Sequence, residues 1–203
     1  MIMELEMTIE LLLALATFAV VSTVTPGPNN LMLMSSGANF GFKRTMPHMA
    51  GITLGFGLMV ILVGMGLMTV FDKFPTSHLV LKVLSIAYLI YLAYKIARAG
   101  QPAQSEVDGA QPLTFFQACA FQWVNPKAWT MALTAISVYS PDRSVVSIGV
   151  IAAIFIMANV PSVGIWTVLG QKISVLLSNQ RRLTLFNYTM AVCLLASIYP
   201  VLV

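Results

Sequence analysis

The chain has 203 residues, of which 58% are hydrophobic and 9% charged, with a formal net charge of +4 and a mean hydropathy of +0.86. A soluble domain carries about 25% charged residues, so this composition cannot clothe a globular surface and reads as an all-α polytopic membrane protein. The Lys and Arg residues are scattered over short segments with no basic stripe or arm, which argues against a nucleic-acid partner.

The first ten residues hold Glu4, Glu6 and Glu10 and no Lys or Arg. A signal peptide opens on positive charge, so the first apolar run is expected to remain as a membrane helix. A spanning helix needs about 20 apolar residues, and six stretches qualify. In chain order they are 9–40, 46–71, 78–96, 113–139, 145–169 and 183–203. The first covers 32 residues, or roughly 48 Å of straight helix against a hydrocarbon core of about 30 Å. It must bend or break at Thr25-Pro26-Gly27-Pro28-Asn29-Asn30, because proline lacks an N–H and clashes with the preceding turn. The fourth contains Trp123-Val124-Asn125-Pro126-Lys127 in the corresponding place. Starting that span after Lys127 would leave only about half a crossing before Ser140-Pro141-Asp142, so Lys127 is expected within the membrane.

The stretch 98–112, rich in Gly, Pro, Gln and Ser, is the one linker-like segment. The expectation is a single transmembrane domain over 1–203, with one repeat at about 8–97 and a second at about 113–203. Lys43, Arg44, Lys95, Arg98, Lys172, Arg181 and Arg182 follow odd-numbered spans, whereas Lys73, Lys82 and Arg143 lie on the other side. By the positive-inside rule both termini then face the outside, which is the periplasm if the membrane is a bacterial inner membrane. Three spans per repeat invert the second repeat relative to the first, as in inverted-repeat transporters.

Asn-Pro and Gly-Pro inside an apolar run also read as helix starts, with Asn125 as cap and Pro126 as first helical residue. In the first half, Thr25-Pro26 or Gly27-Pro28 has the same role. Pro26, Gly27, Pro28 and Pro126 thus shape two half-helices whose N-termini favour an anion. Lys127 adds a full positive charge, and a carboxylate is the natural ligand. The expected substrate-binding residues are Asn29, Asn30, Asn125, Lys127, Asn159 and Gln122. No Asp or Glu lies in the interior of a span, Glu10 and Asp72 sitting at span ends, so a substrate ammonium is left to amides and to carbonyls freed at the breaks. This favours a small neutral substrate. No metal or cofactor is expected.

Other features have plainer readings. Cys119 and Cys193 lack a CxxC spacing and read as buried small hydrophobes. His48, near the basic loop, reads as interfacial rather than as a proton relay. Gly51 and Gly55 form a close-packing face, either against a broken helix or in a homodimer seam. Trp166 suits an interfacial anchor, while Trp123 and Trp129 suit a cavity wall. Asn159-Val160-Pro161 is a weaker third break, either a kink or a wall of the site, and Gln117 reads as an interhelical bond.

The run Thr25-Pro26-Gly27-Pro28-Asn29-Asn30, followed by Gly41-Phe42-Lys43-Arg44, Ala50-Gly51 and Gly55, resembles the opening of the LysE/RhtB amino-acid exporters. Asn125-Pro126-Lys127 is similar to that family's second motif. The resemblance implies a transporter of the bacterial inner membrane that moves amino acids from cytoplasm to periplasm, with proton coupling as the usual driver. Substrates in the family include lysine, arginine, homoserine, threonine, leucine and cysteine. Asn159-Val160 before Trp166 resembles the cysteine/O-acetylserine branch more than members with an acidic residue there. The combined expectation is a secondary active exporter working by alternating access. A passive channel and an intramembrane redox enzyme are the alternatives.

Overall fold

A computed structural model of the chain describes residues 8–67, 73–74, 76–99, 111–140, 144–177 and 179–199. Most of the expected linker, the second span beyond Leu67, Pro141-Asp142, the last four residues of the sixth span and both Glu4 and Glu6 lie outside the described residues. Among the described residues the regular structure is entirely helical: α1 Ile9–Val24, α2 Pro28–Leu62, a π-helical turn Val63–Leu67, α3 Thr76–Ala97, α4 Phe115–Gln122, α5 Pro126–Tyr139, α6 Val145–Leu176 and α7 Gln180–Ala196. Among the described residues three segments are long and apolar enough to cross a membrane, namely Pro28–Leu67, Leu79–Ala97 and Val145–Leu176; Ile9–Val24 is apolar but shorter.

Helix starts follow local side-chain chemistry. Thr8, Thr114, Ser144 and Asn179 each accept a backbone N–H of the first turn, satisfying donors that have no intrahelical partner. Thr114 and Gln117 form a reciprocal capping box. Gln117 therefore ends the exposed tip of α4 rather than bridging two helices.

The element α2 is two arms. Gly41 has φ 76° and ψ 171°, a left-handed value that a side chain rarely tolerates. Ser36 and Thr45 share a hydroxyl hydrogen bond of 2.9 Å across it, although nine residues of straight helix would span roughly 13 Å. The chain therefore reverses in one residue, where the sequence pattern suggested a loop from 41 to 45. Asn39 and Asn187 bond reciprocally at 2.8 and 3.1 Å, and Asn187 Nδ2 also donates to Ala99 O at 2.6 Å. The bend carrying Lys43 and Arg44 thus meets the end of α3 carrying Lys95 and Arg98.

The core lies in two large clusters. One joins α1, the second arm of α2, α5 and the first half of α6 around Leu15, Phe56, Met59, Ala132 and Phe155. The other joins the first arm of α2 with α3, α4 and α7 around Met32, Leu89, Phe121 and Leu194. Each broken span thus sends one piece into each cluster, and the breaks fall between them. Leu13, Leu54, Leu58, Val83, Ile90, Val160 and Val192 remain more than half exposed, which suits a surface facing lipid.

Close helix approach depends on glycine. A Cβ on Gly37 would collide with Thr167 O, and one on Gly170 with Met34 O, locking the first arm of α2 to α6. Gly51 and Gly55 meet the α4 backbone at Phe115 and Cys119, so that face packs against the broken span. Cys119 Sγ donates to Gly51 O at 3.3 Å. Both cysteines are free and only partly buried, rather than the fully buried hydrophobes expected.

Candidate functional site

The first break leaves the last carbonyls of α1 without intrahelical partners, a need that hydrocarbon cannot meet. Four side chains from three helices supply the donors. Asn30 Nδ2 donates to Thr23 O and Thr25 O, both at 2.8 Å. Ser162 Oγ donates to Thr23 O at 2.8 Å, and Trp166 Nε1 to Val24 O at 3.0 Å. Lys127 Nζ donates to Thr25 O at 2.6 Å, Thr25 Oγ1 at 2.9 Å and Pro26 O at 3.3 Å. An ammonium has three donors, so Lys127 is fully engaged as a cap on α1. Its stem crosses Gly27, where a Cβ would come within 2.7 Å of Lys127 Cδ. The backbone of Gly27 is extended, with φ −175°; the missing side chain is needed for this crossing and not for the torsion.

The second break closes largely on itself. The N–H groups of Trp123, Val124 and Asn125 donate to Ala120, Phe121 and Gln122 carbonyls at 3.1–3.3 Å. Trp129 Nε1 donates to Trp123 O at 2.8 Å. Asn125 is the cap of α5, its Oδ1 accepting Lys127 N–H at 3.1 Å, with Pro126 at the first helical position. The first-half start is Gly27-Pro28, the second of the two options open in the sequence. An amide pair ties the breaks together: Asn29 Nδ2 donates to Gln122 Oε1 at 2.9 Å, and Gln122 Nε2 returns a bond to Asn29 Oδ1 at 3.2 Å.

A small, partly open cavity lies between the breaks. Asn29, Asn30, Asn125, Lys127 and Asn159 all line it, together with the caps of α2 and α5 at Gly27 and Asn125. Gln122 does not; it is fully buried behind Asn29. Asn159 is 7% exposed and its amide has no hydrogen-bond partner among the described residues. The helix carrying it runs unbroken through Pro161, so the triplet is not a third break, and of its three residues Asn159 is the one that lines the cavity. Among the described residues the only carboxylate is Glu10, exposed at the start of α1.

Residues 20–197 match the LysE type translocator family. The chain belongs to that family. It is a membrane transporter and not an enzyme. Cysteine/O-acetylserine efflux proteins from Escherichia coli (strain K12), Shigella sonnei (strain Ss046) and Shigella flexneri are each 35% identical to it over 136 residues, covering 66% of this chain and 67% of theirs. No solved structure matches the chain.

Two participants in this translocator's site escaped sequence reasoning. Ser162 is a common residue in an apolar helix, and its only signal was adjacency to Pro161. Trp166 suited an interfacial anchor but donates to Val24 instead. His48 is also corrected: it is 1% exposed, not interfacial, because the Gly41 bend folds its turn back against the first arm.

Proposed function

We propose that this translocator is a secondary active exporter of a small neutral amino acid or derivative across the bacterial inner membrane. Cysteine and O-acetylserine are the first candidates, on the likeness to the efflux proteins. The observation that carries the reading is one cavity at which both half-helix N-termini, Lys127 and the unpartnered Asn159 meet. Helix N-termini and a lysine favour a carboxylate. The absence of a described carboxylate at the cavity favours a neutral over a dibasic substrate.

Lys127 exchanges the carbonyls of Thr25 and Pro26 for the substrate carboxylate. A carboxylate meets the ammonium with a full charge where the carbonyls offer only dipoles, so the exchange is favourable. It also uncaps α1, which links substrate binding to movement at the first break. Asn159 and the open amide of Asn125 receive the rest of the substrate. Six crossings are assigned as α1 with the first arm of α2, the second arm, α3, α4 with α5, α6, and α7. They form repeats over 8–97 and 113–203 in inverted orientation, with both termini periplasmic, rocking about the breaks. Protons flowing inward drive export.

The test is release of an amino-acid panel from proteoliposomes under an imposed pH gradient. Release of at least one small neutral member is expected, with Lys127→Ala and Asn159→Ala each slowing it about tenfold or more. Failure to release any member, or wild-type rates in both variants, would overturn the reading. Release that ignores the gradient would identify a passive channel.

A further inference from the structure

A second cavity, sharing no lining residue with the first, lies at the basic end of the molecule. It is walled by α2 on both sides of the Gly41 bend, by the end of α3 and by the residues just before α4. His48 lines it at 1% exposure, and neither ring nitrogen has a hydrogen-bond partner. Buried polar groups are nearly always paired, so an imidazole left open beside a cavity marks a place for a ligand. Ser35 and Ser36 line the same space and are buried, while Lys95 and exposed Gln111 stand at its rim. Met32, Leu92 and Leu113 supply apolar wall.

We propose that this cavity is a loading site for the exported amino acid, occupied before the substrate reaches the breaks. The proposal rests on the exporter reading above. A neutral imidazole offers one donor and one acceptor. The two nitrogens point to different sides of the ring, so a small ligand meets one of them, and a zwitterion suits either: its ammonium donates to a bare nitrogen and its carboxylate accepts from an N–H. Lys95 provides the cation for the carboxylate. Among the described residues that line the cavity there is no acid, so a dicationic ligand is disfavoured here too. The cavity opens beside Lys95 and near the bend that carries Lys43 and Arg44. By the positive-inside rule this is the cytoplasmic end, where an exporter collects its substrate.

The test uses the full chain in nanodiscs of zwitterionic lipid, purified without a histidine tag. The chain has two histidines, and His78→Gln leaves His48 as the sole imidazole. Ring nitrogen-15 signals of His48 then read this cavity, while the fluorescence of Trp123, Trp129 and Trp166 reads the breaks. With O-acetylserine or cysteine as probe, the His48 signals are expected to shift and saturate, and to do so still in Asn159→Ala. His48→Leu, checked for a monodisperse folded protein, is expected to slow release from low substrate concentrations about tenfold while the tryptophan response persists.

Fixed His48 signals together with a tryptophan response would overturn the loading site and leave the exporter reading intact. Silence from both probes would remove the two together. A shift produced by added phosphatidylglycerol but not by amino acids would also overturn the proposal, because the cavity would then hold a lipid headgroup. Wild-type release by His48→Leu at low substrate would do the same.

Discussion

The two breaks look alike in sequence and differ in what holds them. At the second, turn bonds and Trp129 satisfy the freed carbonyls from within the same span. At the first, the carbonyls of Thr23, Val24, Thr25 and Pro26 depend on Asn30, Lys127, Ser162 and Trp166, of which three come from other spans. A self-contained break keeps its shape when its surroundings move. A break held by distant donors changes when any of those donors is recruited elsewhere. The first break is therefore the adjustable one, and Lys127 is the donor with most to gain from a charged competitor.

The largest effect that breaks this contrast comes from separating α6 from the first arm. Gly170→Val places a side chain on the Met34 carbonyl and moves Ser162 and Trp166 off the first break. Overpacking costs about 1–3 kcal/mol, and the loss of two capping bonds adds roughly 1 kcal/mol each. Detergent-solubilised Gly170→Val is expected to unfold at a markedly lower temperature than wild type, with little monodisperse protein. A Tm near wild type would show that the first break does not need α6.

Next in size is Asn30→Ala, which removes two hydrogen bonds to α1 carbonyls. Interhelical polar bonds in membrane proteins average about 0.6 kcal/mol and reach about 1.7. A loss of roughly 1–3 kcal/mol is expected, accompanied by faster backbone hydrogen exchange in the segment 23–31. Trp166→Phe keeps an aromatic side chain, loses one bond and gives up some packing, so its cost should be about 1 kcal/mol or a little more, with the exchange increase confined to the same segment. Unchanged exchange there in both variants would show that the first break holds itself, as the second does.

The places where the helices break were legible because proline cannot donate and asparagine caps; Pro28, Asn125 and Pro126 stand where those rules put them. The partners of the freed carbonyls were not legible. Ser162 and Trp166 act about 140 positions from the residues they cap, and nothing local marks such a pairing. Asn29 and Gln122 were both expected at the site, yet their mutual bond turns Gln122 into the support of Asn29. Gly41 carried a signal that was read too loosely. One positive-φ residue replaces a loop, and that single turn is what buries His48. The Thr114–Gln117 capping box was fully encoded in its spacing, but Gln inside an apolar run also fits an interhelical bond.

The smallest expected effect tests the second break alone. Asn125→Ala removes the cap on the Lys127 N–H and should cost about 0.5–2 kcal/mol, the usual value of an N-cap. Because the turn bonds of Trp123, Val124 and Asn125 are backbone to backbone, they survive the change. The bond from Trp129 to Trp123 survives too. Hydrogen exchange in 23–31 should stay near wild type, since Lys127 can still reach Thr25 and Pro26 from the same helix. Asn125→Asp restores the cap oxygen and should recover stability. It also sets a carboxylate beside Lys127, competing with the carbonyls of the first break and with an incoming substrate carboxylate. The variant that is best capped should therefore transport worst. If Asn125→Asp transported as well as wild type, Lys127 would not be the group that the substrate and the first break contest.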